Sequence, residues 1–273
     1  MFRNMTIGQY YPADSLIHKL DPRVKLACTL LFIISLFLFS SFAGYVVAAI
    51  YLGTVVTLSK VPIKYILRGL KGIVILLLFT VFFNLVLTPG TVVVELPGPF
   101  QITIEGIRTA SFMAIRLMFL IIGSSLMTFT TTPNELTDGM EKGLSPLKKI
   151  GVPVHEIAMM MSIALRFIPI LIEETDKIMK AQAARGADFE SGNFMKRAKA
   201  MIPILVPLFV SAFRRANDLA LAMEARCYNG GEGRTTMKPL KYNSRDIRAY
   251  IITFIYMALL IIVNKIAKRY LPF

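Results

Sequence analysis

The chain has 273 residues, 55% of them hydrophobic, and its mean hydropathy is +0.60. This composition excludes an ordinary soluble domain and predicts an all-α protein that crosses a lipid bilayer several times. The net charge is +14, but the basic residues lie in short loops and one long segment rather than in a polybasic run. We therefore interpret them as charges that hold apolar spans in the membrane, positive side inward, and expect no nucleic acid partner.

The first part of the chain contains four predicted membrane spans. Residues 26–59 carry no charge, and as one helix they would extend about 51 Å, much more than the roughly 30 Å of a hydrocarbon core. We therefore expect two short helices with a turn at 40–44. A basic loop is predicted at 60–71, and two further spans are predicted at 72–94 and about 107–129.

A small hairpin is expected between the third and fourth spans. Residues 91–96 and 100–104 are rich in β-branched side chains and flank the turn signal Pro97-Gly98-Pro99. This loop carries Glu95 and Glu105 but no Lys or Arg, which places it outside the cell.

Residues 133–248 have a different character. They hold 18 of the 31 basic residues and 13 of the 17 acidic ones, and their apolar pieces are short. The piece at 200–213 contains Pro203 and Pro207, so it is too short and too proline-rich to cross the membrane comfortably. We therefore expect a membrane part with four helices at 1–132, a cytoplasmic helical region at 133–248 and a fifth span at 249–273.

Loop charges set the expected orientation. The segment before the first span and the 60–71 loop are basic, which places both in the cytoplasm together with 133–248. The fifth span would then end outside the cell. The positive charges of Lys265, Lys268 and Arg269 near its end argue against that position, because basic residues favour the cytoplasmic side.

Catalytic motifs are absent from the sequence. There is no G-x-x-x-x-G-K-[ST] phosphate loop and no G-x-S-x-G elbow, and His18 and His155 lack a zinc-ligand spacing. The first four spans have no interior Asp or Glu, the residues that proton- or sodium-coupled carriers usually need. We therefore expect no enzyme, no cofactor and no metal site, and the sequence lacks the signs of a membrane enzyme or a self-contained secondary carrier.

One charged residue, Arg116, lies within an early span. It is interpreted either as a substrate or partner contact, or as an arginine that reaches the membrane interface along its aliphatic stem. The second interpretation is favoured.

Two short motifs end runs of helix-forming residues, Ala184-Arg185-Gly186 and Ala225-Arg226-Cys227, and their arginines are 41 residues apart. An arginine in the last turn of a helix meets the negative end of the dipole and presents five donors beyond the helix. The pair can serve as docking tips for another protein, or each arginine can simply cap its helix. Arg185-Gly186 fits the capping interpretation fully, and Arg226 fits it less well.

These motifs carry a resemblance to a known family. Residues 8–25, the segment 181–186 and the segment 222–228 resemble the opening segment and the paired Ala-Arg-Gly signatures of the transmembrane T component of energy-coupling factor transporters. The resemblance spans nearly the whole chain. Cys227 departs from the family pattern, which often has Gly there.

The resemblance implies a mechanism for this chain. The T component would join two cytoplasmic ABC ATPase subunits to a separate membrane protein, the S component, which binds a vitamin or other micronutrient. Arg185 and Arg226 would each enter a groove on one ATPase, and 133–248 would supply long coupling helices. The alternative within the family is a T component dedicated to one substrate such as cobalt, nickel or biotin.

Two further features of 133–248 have open interpretations. The prolines at 169, 203 and 207 either permit coupling helices to move or make ordinary bends. The methionines either form an adaptable surface for an S component or fill core gaps. They are Met140, Met159, Met160, Met161, Met179 and Met195.

Overall fold

The structure, a computed structural model, describes residues 10–39, 41–95, 101–187, 189, 193–230, 237 and 239–270. These residues form nine α-helices, one short 3-10 helix and one two-stranded hairpin. They divide into two compact units, the first within 8–139 and 240–273 and the second within 140–239. The expected all-α class is confirmed.

The elements of the first unit are α1 (Pro22–Leu38), α2 (Phe42–Ser59), α3 (Ile63–Lys71), α4 (Val74–Leu87), β1 (Val92–Glu95), β2 (Gln101–Thr103), α5 (Ile104–Thr130) and α9 (Ser244–Tyr270). The boundary between the units lies within α6 (Pro133–Gly143). The second unit contains the 3-10 helix (Ser145–Ile150), α7 (Val154–Ala184) and α8 (Phe194–Glu224).

Several helices are long and apolar enough to cross a membrane, so the expected multi-pass membrane protein is confirmed. Within the described residues there are four, Phe42–Ser59, Ile104–Thr130, Val154–Ala184 and Ser244–Ala267. The pair α3 and α4, bent by 60°, makes a fifth if it is counted as one span. Because α7 qualifies by length and composition, the cytoplasmic position of 133–248 stays a prediction.

The segment expected to be a basic loop at 60–71 is mostly the helix α3. Lys64, Arg68 and Lys71 follow one another at intervals of four and three residues, which places them on one helical face, while Ile66 is buried. The loop prediction is wrong, because the basic residues that suggest a loop recur at helical spacing and leave an apolar residue to be buried on another face. The turn between the first two helices also lies slightly earlier than expected, since α1 ends at Leu38 and α2 begins at Phe42.

The expected hairpin forms. β1 pairs antiparallel with β2, and Val92 lies opposite Thr103 and Glu95 opposite Gln101. The turn signal Pro97-Gly98-Pro99 lies outside the described residues.

An aromatic core holds α1, α2 and α9 together. Phe32, Phe39, Tyr45 and Tyr256 are buried in it. Two hydrogen bonds cross between helices within this core, one between the hydroxyl groups of Ser35 and Tyr256 at 2.7 Å and one between those of Tyr51 and Thr253 at 3.1 Å. Each hydroxyl group is thereby paired inside an apolar environment, where an unpaired one would be costly.

The first unit also contains a buried polar cluster at the start of α1 and α9. Lys25 donates from Nζ to the carbonyls of His18 (3.0 Å) and Thr130 (2.8 Å). Asp246 accepts the N–H of Asp21 at 2.9 Å and the N–H of Asn243 at 2.7 Å. This cluster joins the first turns of α1 and α9 to the last turn of α5.

An ion pair completes this cluster. The Arg23 guanidinium donates to both carboxylate oxygens of Asp21, at 3.0 and 2.9 Å, and lies 4.1 Å from the centre of the Tyr242 ring. Burial by itself raises the pKa of the Asp21 carboxyl. The hydrogen bonds from the Arg23 side chain and N–H outweigh burial and hold that pKa below its usual value.

The side chain of Arg116, on α5, reaches the C-terminal end of α1. Its guanidinium donates to the carbonyl of Phe39 at 3.4 Å and lies 5.5 Å from the centre of the Phe37 ring. The arginine therefore satisfies a carbonyl that α1 leaves free at its C-terminal end.

Replacing Asp246 by Ala should destabilise the first unit. The substitution leaves the buried N–H of Asp21 and the partly buried N–H of Asn243 without their acceptor, and we expect a loss of roughly 2–4 kcal/mol. Asp246→Asn keeps one acceptor oxygen and should cost less. The measurement is the apparent melting temperature of the purified chain in detergent, with Asp218→Ala, an exposed carboxylate on α8, as the control. Equal melting temperatures for Asp246→Ala and Asp218→Ala would contradict this role.

Candidate functional site: two matching helix ends

The first candidate site is the end of α7. Arg185 has φ −88° and ψ 7°, and Gly186 follows in the left-handed region with φ 86°. The N–H of Ala187 donates to the carbonyl of Gln182, and that of Gly186 to the carbonyl of Ala183, both at 3.0 Å. This pair of bonds is the Schellman motif, which satisfies the last carbonyls of a helix and turns the chain sharply.

The end of α8 has the same geometry. Cys227 occupies the left-handed position with φ 55°. The N–H of Tyr228 donates to the carbonyl of Met223 at 3.0 Å, and that of Cys227 to the carbonyl of Glu224 at 2.8 Å. The expectation that Arg226 fits this ending less well is therefore wrong, because Cys227 adopts the conformation that glycine adopts after Arg185.

Both arginines are available to a partner. All six residues of the two motifs are exposed: Ala184, Arg185, Gly186, Ala225, Arg226 and Cys227. Within the described part of the chain, neither guanidinium forms an ion pair or a hydrogen bond. Each tip thus presents five unpaired N–H donors beside an alanine too small to screen them.

An ion pair ties α7 to α8 midway between the two tips. Arg215 on α8 donates to Glu174 on α7 at 2.6 Å. Arg185 lies 185 − 174 = 11 residues after Glu174, and Arg226 lies 226 − 215 = 11 residues after Arg215. Each tip is therefore about 16 Å of helix beyond the ion pair, at a rise of 1.5 Å per residue.

A second contact shows the direction of the two helices. Gln182 donates from Nε2 to the carbonyl of Pro203 at 3.4 Å. Glu174 contacts Arg215, and Gln182, later on α7, contacts Pro203, which is earlier on α8. The two helices are therefore antiparallel. The tips at Arg185 and Arg226 lie at opposite ends of the helix pair.

The same contact gives one proline a structural role. Pro207 has no N–H, so the carbonyl four residues earlier, that of Pro203, has no helical partner. The Gln182 side chain supplies the missing donor from α7. Sequence inspection missed Gln182, Glu174 and Arg215, although Glu174 and Arg215 repeat the 41-residue spacing of the two tips.

The chain is similar to known proteins over most of its length. A family model described as CbiQ, cobalt transport protein, matches residues 13–237. A protein of Clostridium kluyveri, named energy-coupling factor transporter transmembrane protein EcfT, is 55% identical over 263 residues, which cover 96% of this chain and 97% of its own length. The chain belongs to the family of transmembrane components of energy-coupling factor transporters.

Other relatives carry the same name. The protein of Thermosediminibacter oceani is 54% identical over 251 residues, covering 92% of this chain and 94% of that protein. The protein of Bacillus subtilis is 47% identical over 260 residues, covering 95% and 98%. This T component is therefore a multi-pass protein of the cell membrane with a role in transport.

Within the described residues, no group of three or more His, Cys, Asp or Glu side chains could hold a metal ion.

Cys227→Gly and Gly186→Cys, which exchange the residue types at the two left-handed positions, should have opposite effects on the stability of the two helix ends. A side chain with a Cβ costs about 1–2 kcal/mol in this conformation, whereas glycine does not. We therefore expect Cys227→Gly to slow hydrogen exchange at the Tyr228 amide about fivefold or more, and Gly186→Cys to accelerate it at the Ala187 amide. Hydrogen-exchange mass spectrometry measures both. Faster exchange at Tyr228 in Cys227→Gly would show that Cys227 contributes a contact rather than strain.

Proposed function

We propose that this T component is the energy-coupling subunit of an importer for vitamins or other micronutrients. It links two cytoplasmic ABC ATPase subunits to a membrane S component that binds the substrate, and the ATPases hydrolyse the ATP. The observation that carries this proposal is the pair of matching arginine tips at Arg185 and Arg226, one for each ATPase subunit.

The geometry of the tips suits two similar partners. Each arginine directly precedes a left-handed residue at the end of a long helix, with the same hydrogen bonds around it. Each also lies 11 residues beyond the Glu174–Arg215 ion pair. Two equivalent tips that point in opposite directions can engage two homologous grooves in the same way.

A guanidinium is a suitable anchor for such a groove. Its planar fork can pair with a carboxylate or with several backbone carbonyls at once, and it stays charged when it is desolvated. The two tips lack partners within the described residues, so docking would not first have to break an internal ion pair.

The apolar surface of α8 suits a membrane partner. Seven large apolar side chains on this helix are each about half exposed or more, and they recur at intervals of one and three residues: Met201, Ile202, Leu205, Val206, Phe209, Val210 and Phe213. This spacing forms two adjacent rows along one helical face. Such a large exposed apolar stripe indicates an interaction surface, here the one for the S component.

Exposed methionines offer further apolar surface on both helices, Met160 and Met161 on α7 and Met195 on α8. Met160, Met161 and Met195 expose 58%, 39% and 67% of their area. The unbranched thioether adapts to partners of different shape, which suits a T component that serves several S components.

A second candidate is a T component dedicated to one metal ion. The description of the matching family model, cobalt transport protein, favours it. The S component that co-purifies with the chain decides between the two candidates, because the cargo binds to that protein.

Replacing the tip arginines should release the ATPases. Losing one partner of a desolvated charge-assisted contact costs roughly 2–5 kcal/mol, so Arg185→Ala and Arg226→Ala should each weaken ATPase capture and the double variant should abolish it. Arg→Lys should rescue only partly, because an ammonium lacks the planar fork. The measurements are pull-down of the ATPases from membranes and ATP-dependent uptake in reconstituted vesicles.

Matched controls exist on the same two helices. Arg166 on α7 and Arg214 on α8 are exposed but do not lie at a helix end. Their alanine variants should retain both ATPases. Wild-type capture by the double tip variant, or equal losses in the controls, would refute docking through the tips.

Cys227 provides a native probe of topology and docking. In a Cys28→Ser background, a membrane-impermeant maleimide should not label Cys227 in intact cells but should label it in inside-out vesicles. Bound ATPases should reduce that labelling, because the exposed thiol adjoins Arg226. The opposite control is Thr91→Cys beside the hairpin, in a chain lacking both native cysteines, which should be labelled in intact cells. Labelling of Cys227 from outside would overturn the cytoplasmic position of the α8 end.

A further inference from the structure

An apolar cavity of about 400 Å³ lies between α1, α2, α5 and α9 in the first unit. Its wall includes Phe32, Leu58, Leu126 and Tyr256. All four helices are apolar, and three of them are long enough to cross the membrane. A mostly apolar cavity of this kind suits a hydrocarbon chain better than water.

A second, polar cavity adjoins the first. Leu58 belongs to the walls of both. The polar cavity is lined by the cations of Lys19, Lys60, Arg245 and Arg248 and by one carboxylate, Asp14. Its formal charge is 4 − 1 = +3.

The carboxylate does not neutralise the remaining cations. Asp14 pairs with Lys19 at 2.6 Å, which leaves the other three positive charges without a carboxylate in the cavity wall. Those three side chains, of Lys60, Arg245 and Arg248, are exposed. Together they form a local positive patch suited to a phosphate group.

The three cations lie at the level of lipid headgroups. Lys60 directly follows the apolar span α2, and Arg245 and Arg248 lie in the first turns of the apolar helix α9. The polar cavity is thus at the membrane boundary, and the apolar cavity continues from it along the spans.

The backbone at Lys60 supports a role for its side chain. Lys60 ends α2 in the left-handed conformation with φ 56°. Glycine is the easiest residue in that conformation, and a lysine costs about 1–2 kcal/mol there. An unfavourable residue at such a position indicates that its side chain is needed.

We propose that the two cavities together bind one anionic phospholipid, with its phosphate on Lys60, Arg245 and Arg248 and an acyl chain passing Leu58 into the apolar cavity. Basic pockets between transmembrane helices are suited to anionic headgroups. The lipid would fill the space between α2 and α9 and hold these two helices beside α1.

The chain has no tryptophan, so a single introduced one reports on a single place. Leu58→Trp places the reporter in the wall shared by the two cavities. We expect brominated phosphatidylglycerol to quench it at least about fivefold more effectively than brominated phosphatidylcholine, since one basic residue near a membrane surface contributes about that preference. Ile255→Trp, farther along the apolar cavity, should show the same preference.

The control reporter is Leu78→Trp on α4, which is exposed and lies outside both cavities. It should be quenched equally by the two lipids. Equal quenching at Leu58 and Ile255 as well would overturn the proposal, as would the same anionic preference at Leu78.

Charge removal tests the headgroup contact. The triple variant Lys60→Gln, Arg245→Gln, Arg248→Gln should lose the preference while quenching by phosphatidylcholine persists, which shows that the chain is still inserted. The matched triple variant Lys64→Gln, Arg68→Gln, Lys71→Gln removes the same charge from α3 and should keep the preference. Loss of the preference in both variants would show a general surface field rather than a site. The preference should persist when inorganic phosphate is added at constant ionic strength, because the acyl chain adds to the lipid's binding. Its loss would show that a free anion binds the cluster as well as the lipid does, which would overturn a site built from both cavities.

Discussion

The first unit depends on the pairing of polar groups where its helices enter the membrane. Lys25 and Asp246 are almost fully buried, with 5% and 1% of their area exposed. Lys25 bonds to the carbonyls of His18 and Thr130, and Asp246 bonds to the N–H groups of Asp21 and Asn243. Backbone groups at a membrane boundary must be satisfied by the protein if water does not reach them. These bonds therefore fix where α1, α5 and α9 begin or end relative to one another. The alignment of Ser35 with Tyr256 and the cavity between the helices follow from that register.

The spans could be predicted from the sequence because a bilayer imposes one simple rule on it. Gaps between charged residues locate α2, α4, α5 and α9, and proline-glycine with β-branched flanks locates the hairpin. The buried cluster could not be predicted, since Asp21 and Asp246 are 225 residues apart and look like ordinary boundary charges. The helix α3 was missed for a related reason, because the positive charges that suggest a loop also line one face of a helix.

The two tips show the same division between local and long-range information. Helix-forming runs that end in Ala-Arg are local signals, and they locate Arg185 and Arg226 correctly at helix ends. The left-handed conformation of Cys227 is not a local preference of cysteine, so it follows only from the hydrogen bonds that close α8. The ion pair between Glu174 and Arg215 depends on how two 31-residue helices pack, which no short window of sequence contains.

That packing suggests how the proposed coupling would work. The Glu174–Arg215 ion pair divides the antiparallel helices so that equal lengths extend to the two tips. If an ATPase moves each tip, both act on the helix pair with equal leverage, as two similar motors would require. The Gln182 side chain adds a direct link, because it supplies the donor that Pro207 denies to the Pro203 carbonyl, while its own carbonyl closes the Arg185 turn. Movement at the Arg185 tip would therefore be felt first at the proline-containing part of α8, beside its exposed apolar stripe.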